Sequence, residues 1–473
     1  MNNASGAKLS VRTKLLFGCG QGVESGISFA ANTFLLYYLT NVCKIPASTA
    51  GTLIFLSLLI DAIADPAIGS MSDRWRSRWG RRLPFMVAGL PMLVIGAIGL
   101  FEAPNASGFA LMAYILGFSL LVRLGTSLFA MPYSAMTAEL TSDYNERSSI
   151  AVYRCLFGFL GSVAIIGPSF GVIFARPEAM SLPGAYRDLG WVMAGAAILF
   201  GGACIAGLFS GSRASQSQPG ASHQSPLGDL RDMLRNRSFL VLFVGSVVCA
   251  SGAGSLNAIN LYAYRFFWHL SPSQMQVMQL AIQVGFVAGI PVAALALQRF
   301  EKHKTLMVGL SVLALFQGLS PLLVLMLPTA APQLVTVTLG CTSFVFGGCL
   351  SLIFVAFQSM VADAVDEHQL MFGARCEGLY YSALVFAGKA AIGIGSMVAG
   401  LLLTMIGLDR PDQLAQMPVG SPAVTWLGLI WGPGHALMFA ATVPVLLAYT
   451  LDRQRHAQVR RKLAQIAPAA SAA

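Results

Sequence analysis

Two carboxylates interrupt the apolar run "LLIDAIADPAIGSMS" at residues 58–72, and a loop with five arginines, "DRWRSRWGRRLP", follows at 73–84. Asp61 and Asp65 are four residues apart, so a helix places them on one face about 6 Å from each other. In surroundings of low dielectric, two such groups do not both ionise uncompensated. Either one keeps a proton or a cation sits between them. The pair is therefore a candidate proton or cation site. The alternative is a static salt bridge to Lys389 or Arg154.

The elements that carry these groups are membrane spans. Of 473 residues, 56% are hydrophobic and 11% charged, and the mean hydropathy is +0.68; soluble domains average about 25% charged residues. A window of about 19 residues finds twelve apolar stretches, each near the roughly 20 residues that cross a bilayer. They lie at 15–42, 48–71, 84–103, 108–137, 150–175, 189–211, 239–267, 272–298, 305–327, 333–361, 379–406 and 423–450. An ionisable group inside a span is costly and marks a partner or a water-filled cavity. Besides the two aspartates these are Glu24, Arg123, Arg154, Arg265 and Lys389. The first span is too long for the apolar core of a signal peptide, and no cleavage is expected.

With both termini in the cytoplasm, 22 of the 30 Lys and Arg fall in cytoplasmic segments, four in outer loops and four within spans. This satisfies the positive-inside rule. The expected location is a bacterial inner membrane, and the +10 net charge is assigned to anionic lipid and the membrane potential. Nucleic acid is excluded as a partner. The eight scattered cysteines form no CxxC pair and read as packing residues. "GCGQG" at 18–22 and "AGK" at 387–389 fall short of a phosphate loop, the six histidines show no HExxH spacing, and His435 reads as packed. An enzyme is therefore not expected, nor is a cofactor.

Six spans precede and six follow the longest polar segment, residues 212–238, within which "LGDLRDMLRN" has the pattern of a short amphipathic surface helix. Six plus six predicts an all-α major facilitator fold: twelve transmembrane helices in two six-helix bundles, 1–211 and 239–473, joined by that loop. The basic loop after span 2 has a weaker echo after span 8, "QRFEKHKTLMVGL".

The stretch "DAIADPAIGSMSDRWRSRWGRRLPFMVAG" resembles the glycoside–pentoside–hexuronide:cation symporters of the melibiose permease type. So do "TKLLFGCG", "MPYSAMTAELTSDYNERSSIAVYR" and "MVADAVDEHQLMFGARCEGLYYSALVFAGK", so that the resemblance covers nearly the whole chain. It implies that Asp61 and Asp65 are cation-site carboxylates, that Lys389 lies beside them, and that Arg154 lies near the sugar. Phe354 stands at a sugar-facing aromatic position. Asp73, Arg74, Arg78 and Arg81 belong to a loop that acts at the cytoplasmic gate.

Three positions depart from the family pattern: Ala130 replaces a sugar-binding aspartate, Ser25 replaces the span-1 aspartate, with Glu24 adjoining, and Ala64 replaces a cation-site amide. Sodium needs several hard oxygens and a proton needs one carboxylate, so Asp61, Asp65 and Ser127 favour H+ over Na+ as coupling ion. The expected solute is a sugar, glycoside or sugar acid moved by a monomer. Arg123, Arg154 and Arg265 would suit a carboxylated or sulfonated sugar; alternatively Arg123 pairs internally with an acid and Arg265 snorkels to the interface. A carrier of amphiphiles or lipids on the same scaffold is the competing function.

Overall fold

The computed structural model describes all residues except 1–8, 103–105, 142, 212–225, 327–331, 374–375, 409–420 and 471–473. The described residues form helices and no strands. These are α1 (Val11–Asn41), α2 (Ala47–Arg74), α3 (Leu83–Phe101), α4 (Gly108–Leu140), α5 (Tyr144–Pro168), α6 (Pro183–Gly211), the short α7 (Pro226–Arg235), α8 (Arg237–Tyr262), α9 (Pro272–Arg299), α10 (Lys302–Met326), α11 (Pro332–Phe372) and α12 (Glu377–Met405). They continue with α13 (Pro422–Leu447), interrupted by a π turn at Ile430–Gly434, and α14 (Arg453–Ala470). Eleven are long and apolar enough to cross a membrane. The remaining expected span is α1, 31 residues long, whose composition is diluted by Lys14, Gln21 and Glu24.

Local chemistry sets several of the ends. Ser10 accepts from the Thr13 amide at 3.1 Å at the start of α1, and Asp143 accepts from the Glu146 amide at 2.8 Å at the start of α5. Both satisfy an otherwise orphaned first-turn donor. Asn236 does the same for Phe239 at the start of α8 while donating to the Ala364 carbonyl of α11. The segment at 226–235 is helical, as its pattern predicts; residues 212–225 of the expected loop lie outside the described residues. α11 runs about three turns past the apolar stretch, to Phe372. Its polar end "ADAVDEHQL" remains helical because its acids find basic partners, described below.

Packing divides the chain into two compact units. One holds residues 1–219, 257–280 and 396–424; the other holds 220–256, 281–395 and 425–473. In the first, α1 packs on α5 and α6, α3 on α4 and α6, and α2 on α4. The α1–α5 contact is backbone to backbone: a β-carbon on Gly161 would lie 2.2 Å from the Gly22 carbonyl oxygen. Such approaches need small residues. The ends of α8 and α12 within this unit are held as closely. A β-carbon on Gly400 would lie 2.2 Å from the Ala47 oxygen, Thr40 and Tyr262 share a hydrogen bond through their hydroxyls, and Arg265 donates to the Tyr37 hydroxyl at 2.7 Å.

In the second unit α10 packs on α11 and α13. His435 is buried, its Nδ1 2.7 Å from the Ile430 oxygen and its Nε2 3.0 Å from the Ser255 hydroxyl, so it is a packing residue that ties α13 to α8. All eight cysteines are free thiols. In the short connection after α1, burial pushes the Cys43 thiol up to about 11, which keeps it protonated and unreactive at neutral pH.

Candidate functional site

α2 carries Asp61 and Asp65 one turn apart, both buried, at 4% and 5% exposure. Asp61 meets α4 directly: Ser127 donates from its hydroxyl to Asp61 Oδ1 at 2.7 Å. One turn earlier on both helices, Arg123 donates through Nε to the Ser57 hydroxyl at 2.9 Å. The structure thus sets Arg123 against Ser57, one turn from the contact between Ser127 and Asp61. Pro66 follows Asp65 within α2. A proline has no N–H and removes the helical donor to the carbonyl four residues back, here Ala62. That oxygen lies on the stretch between the two aspartates, where a cation ligand would be useful. "ADP" in the sequence held that signal.

A second polar group lies further along α4. Ser134 is seven residues beyond Ser127, about 10 Å at 1.5 Å per residue. Here Arg154 of α5 forks onto Gln21 Oε1 of α1, with Nη2 at 2.7 Å and Nε at 3.2 Å. Its Nη1 donates to the Thr137 hydroxyl at 3.2 Å, and its plane lies 4.9 Å from the Tyr133 ring centroid. Gln21 in turn donates to Glu24 Oε2 at 3.0 Å. The glycine contact between α1 and α5 brings Gln21 within reach of Arg154. Sequence reasoning selected Glu24 and Arg154 but missed Gln21, an uncharged residue three positions from Glu24 that joins them. In the second unit, Phe354 is 56% exposed on α11 with its ring 6.5 Å from Phe286, and Lys389 is half-buried midway along α12.

The arginine loop is an ion-pair network across three helices. Arg82 pairs with Asp73 at 2.9 Å, and Arg81 pairs with Glu139 at the end of α4 at 2.7 Å, with Arg82 at 3.5 Å from the same oxygen. Arg74 and Arg78 are exposed, and Arg78 lies 5.4 Å from the Trp79 ring. The second unit repeats the device. Lys302, in the loop that echoes the first, pairs with Asp363 at 2.7 Å, where α11 stands as α4 does in the first unit. The acids share a local pattern: "MTAE" at 136–139 and "MVAD" at 360–363. α14 adds to this end of the unit, with His456 3.2 Å from Asp366 and 3.6 Å from Asp363, and Arg455 3.0 Å from Glu367. Glu139 and Asp363 went unnoticed in the sequence because their partners are about 60 positions away.

Asp363 has 9% of its side chain exposed and Lys302 31%. Removing a partner from a fully buried pair costs about 3–5 kcal/mol, and partial exposure lowers that. Lys302→Ala should therefore destabilise the purified protein by about 2 kcal/mol in thermal unfolding, whereas Lys304→Ala, at an exposed position, should change little.

The sequence matches the MFS/sugar transport protein family over residues 16–453. The chain belongs to the glycoside–pentoside–hexuronide:cation symporter family. It is an integral, multi-pass membrane protein with the major facilitator fold. The family's members are transporters. A putative glycoside/cation symporter, YagG, of Escherichia coli (strain K12) is 24% identical over 464 residues, covering 96% of this chain and 95% of its own. The isoprimeverose transporter of Lactiplantibacillus pentosus is 24% identical, covering 91% and 89%. The solved D-xylose-proton symporter superposes with a TM-score of 0.63 over 93% of this chain and 99% of its own, at 13% identity, and shows the fold.

Proposed function

We propose that the chain is a secondary active transporter that couples cation entry to uptake of a sugar or glycoside by alternating access. The observation that carries this reading is the pair of buried carboxylates on α2, of which Asp61 is held by Ser127 of α4, with the Arg154 cluster about 10 Å further along that same helix. Cation and solute would then act on one rigid element. A movement of α4 that suits one is felt by the other.

The polar lining supports a hydroxylated solute. Gln21, Glu24, Ser134, Thr137 and Arg154 offer donors and acceptors in a fixed array. In the other unit, Phe354 is an exposed flat apolar face of the kind on which sugar rings stack. Relatives described as glycoside/cation and isoprimeverose transporters agree with this class. The proton is the preferred coupling ion, since Ala64 supplies no side-chain oxygen beside Asp65. Lys389 takes part in coupling, as the family resemblance implies, and Asp73 with Arg81 and Arg82 stabilises one conformation of the carrier at the cytoplasmic face. Both termini lie in the cytoplasm, as the basic residues require.

The test is uptake into proteoliposomes of a panel of pentoses, hexuronides and glycosides under an imposed pH gradient, a sodium gradient or neither. Uphill accumulation of at least one of them with the pH gradient is expected. Facilitated equilibration unaffected by either gradient would remove the symport reading. For the solute so identified, Lys389→Ala should lose most uphill accumulation while Lys304→Ala keeps it.

A further inference from the structure

We propose that Tyr133 is a positioning residue for Arg154, its ring seated on Gly20 of the "GCGQG" segment; the inference rests on the reading just given, in which Arg154 meets the solute. α1 meets α5 and α4 on two different sides. A β-carbon on Gly18 would lie 3.1 Å from the Tyr153 oxygen of α5, and one on Gly22 would lie 3.1 Å from the Phe157 oxygen. A β-carbon on Gly20 would instead enter the Tyr133 ring of α4, 2.7 Å from Cδ2 and 2.9 Å from Cζ. At about 3.6 residues per turn, Gly18 and Gly22 share one side of α1, Gly20 lies nearly opposite, and Gln21 projects between them. Gln21 therefore reaches Arg154 from α1 while the Tyr133 ring covers the guanidinium, its centroid 4.9 Å from Cζ.

The ring itself has little freedom. Tyr133 is 0% exposed, and Phe17 and Phe129 pack on it with centroids at 4.7 and 6.1 Å. Its hydroxyl is buried without a hydrogen-bond partner among the described residues. A hydroxyl left so is a cost, so the contribution of this side chain is its aromatic face. A guanidinium stacks on such a face, and the attraction grows as water is excluded. Gln21 and Thr137 hold Arg154 by the edge of its plane, and Tyr133 holds it from one face. Among the described residues no carboxylate pairs with Arg154, so these neutral contacts set where its charge sits. Without the ring, the guanidinium would pivot on Gln21.

The experiment treats the purified full-length protein, with no solute, with phenylglyoxal, which attacks guanidinium nitrogens, and follows modification of Arg154 by peptide mass spectrometry. Tyr133→Leu should be modified at Arg154 about five- to thirtyfold faster than wild type, the factor set by losing a desolvated cation–ring contact. Tyr133→Phe, which keeps the ring, should react at the wild-type rate. Gly20→Ala, which displaces the ring, should also react faster, and adding it to Tyr133→Leu should have no further effect. Gly190→Ala is the packing control: its β-carbon would lie 2.9 Å from the Ala97 oxygen, so it should lower Tm and leave Arg154 labelling unchanged. In exchange of the pentoses, hexuronides and glycosides of the uptake panel, Tyr133→Leu should raise the half-saturating concentration by the same factor with little change in maximal rate. A folded Tyr133→Leu labelled at the wild-type rate, or Tyr133→Phe labelled as fast as Tyr133→Leu, overturns the proposal. Should Tyr133→Leu fail to fold, Gly20→Ala decides by the same rate. A wild type that takes up no member of the panel would remove the transport reading and leave the labelling result standing.

Discussion

Asp65→Asn is expected to abolish uphill accumulation while leaving solute exchange partly intact. An asparagine is a fixed neutral amide of nearly the same shape as the protonated acid, so the carrier still reorients with solute bound but no longer needs an ion. A potential of about 100 mV is worth about 2.3 kcal/mol per charge, which supports roughly fiftyfold accumulation with one cation per solute. In Asp65→Asn that ratio should fall to about one. The paired assay is uptake under a gradient beside equilibrium exchange of labelled solute. Asp61→Asn should fail differently: it takes the charge from the buried carboxylate that accepts from Ser127, weakening the α2–α4 contact by about 1 kcal/mol, and should appear as lower yield and earlier unfolding. Asp73→Asn, at a half-exposed position paired with Arg82, should shift the balance of carrier conformations and leave ion dependence unchanged. Wild-type accumulation by Asp61→Asn, Asp65→Asn and the double variant together would make the pair structural and end the symport mechanism.

Arg154→Lys is expected to weaken solute binding by about ten- to a hundredfold, the equivalent of one or two charge-assisted hydrogen bonds. The charge is kept, but the fork is lost. Lysine has no planar group to reach Gln21 with two nitrogens, Thr137 with a third and the Tyr133 ring with its face, as Arg154 does. Exchange at saturating solute should still respond to the gradient, because the carboxylate pair is untouched. Gln21→Leu should produce a smaller loss of the same kind by freeing Arg154 to move. Binding measured on the purified protein with the solute found in the uptake screen separates the two effects. Unchanged affinity in Arg154→Lys would place the solute elsewhere.

The sequence by itself determined the membrane class, the spans and the motif of the coupling pair. Apolar length and charge placement are local properties, and a bilayer leaves backbone polar groups no option but the helix. The i, i+4 spacing of Asp61 and Asp65 likewise needs only one helix to be read. Tertiary structure decided which charges meet. Ser127 and Arg123 reach Asp61 and Ser57 across 66 positions, Gln21 reaches Arg154 across 133, and Arg81 reaches Glu139 across 58. Arg123 and Arg154 look alike in sequence as lone arginines in spans, yet one donates to Ser57, a turn from Asp61, and the other sits in a polar cluster further along α4. What separates them is the face and depth at which α4 and α5 pack, and that is set by contacts such as Gly22 on Gly161, where two glycines far apart in the chain let two helices touch.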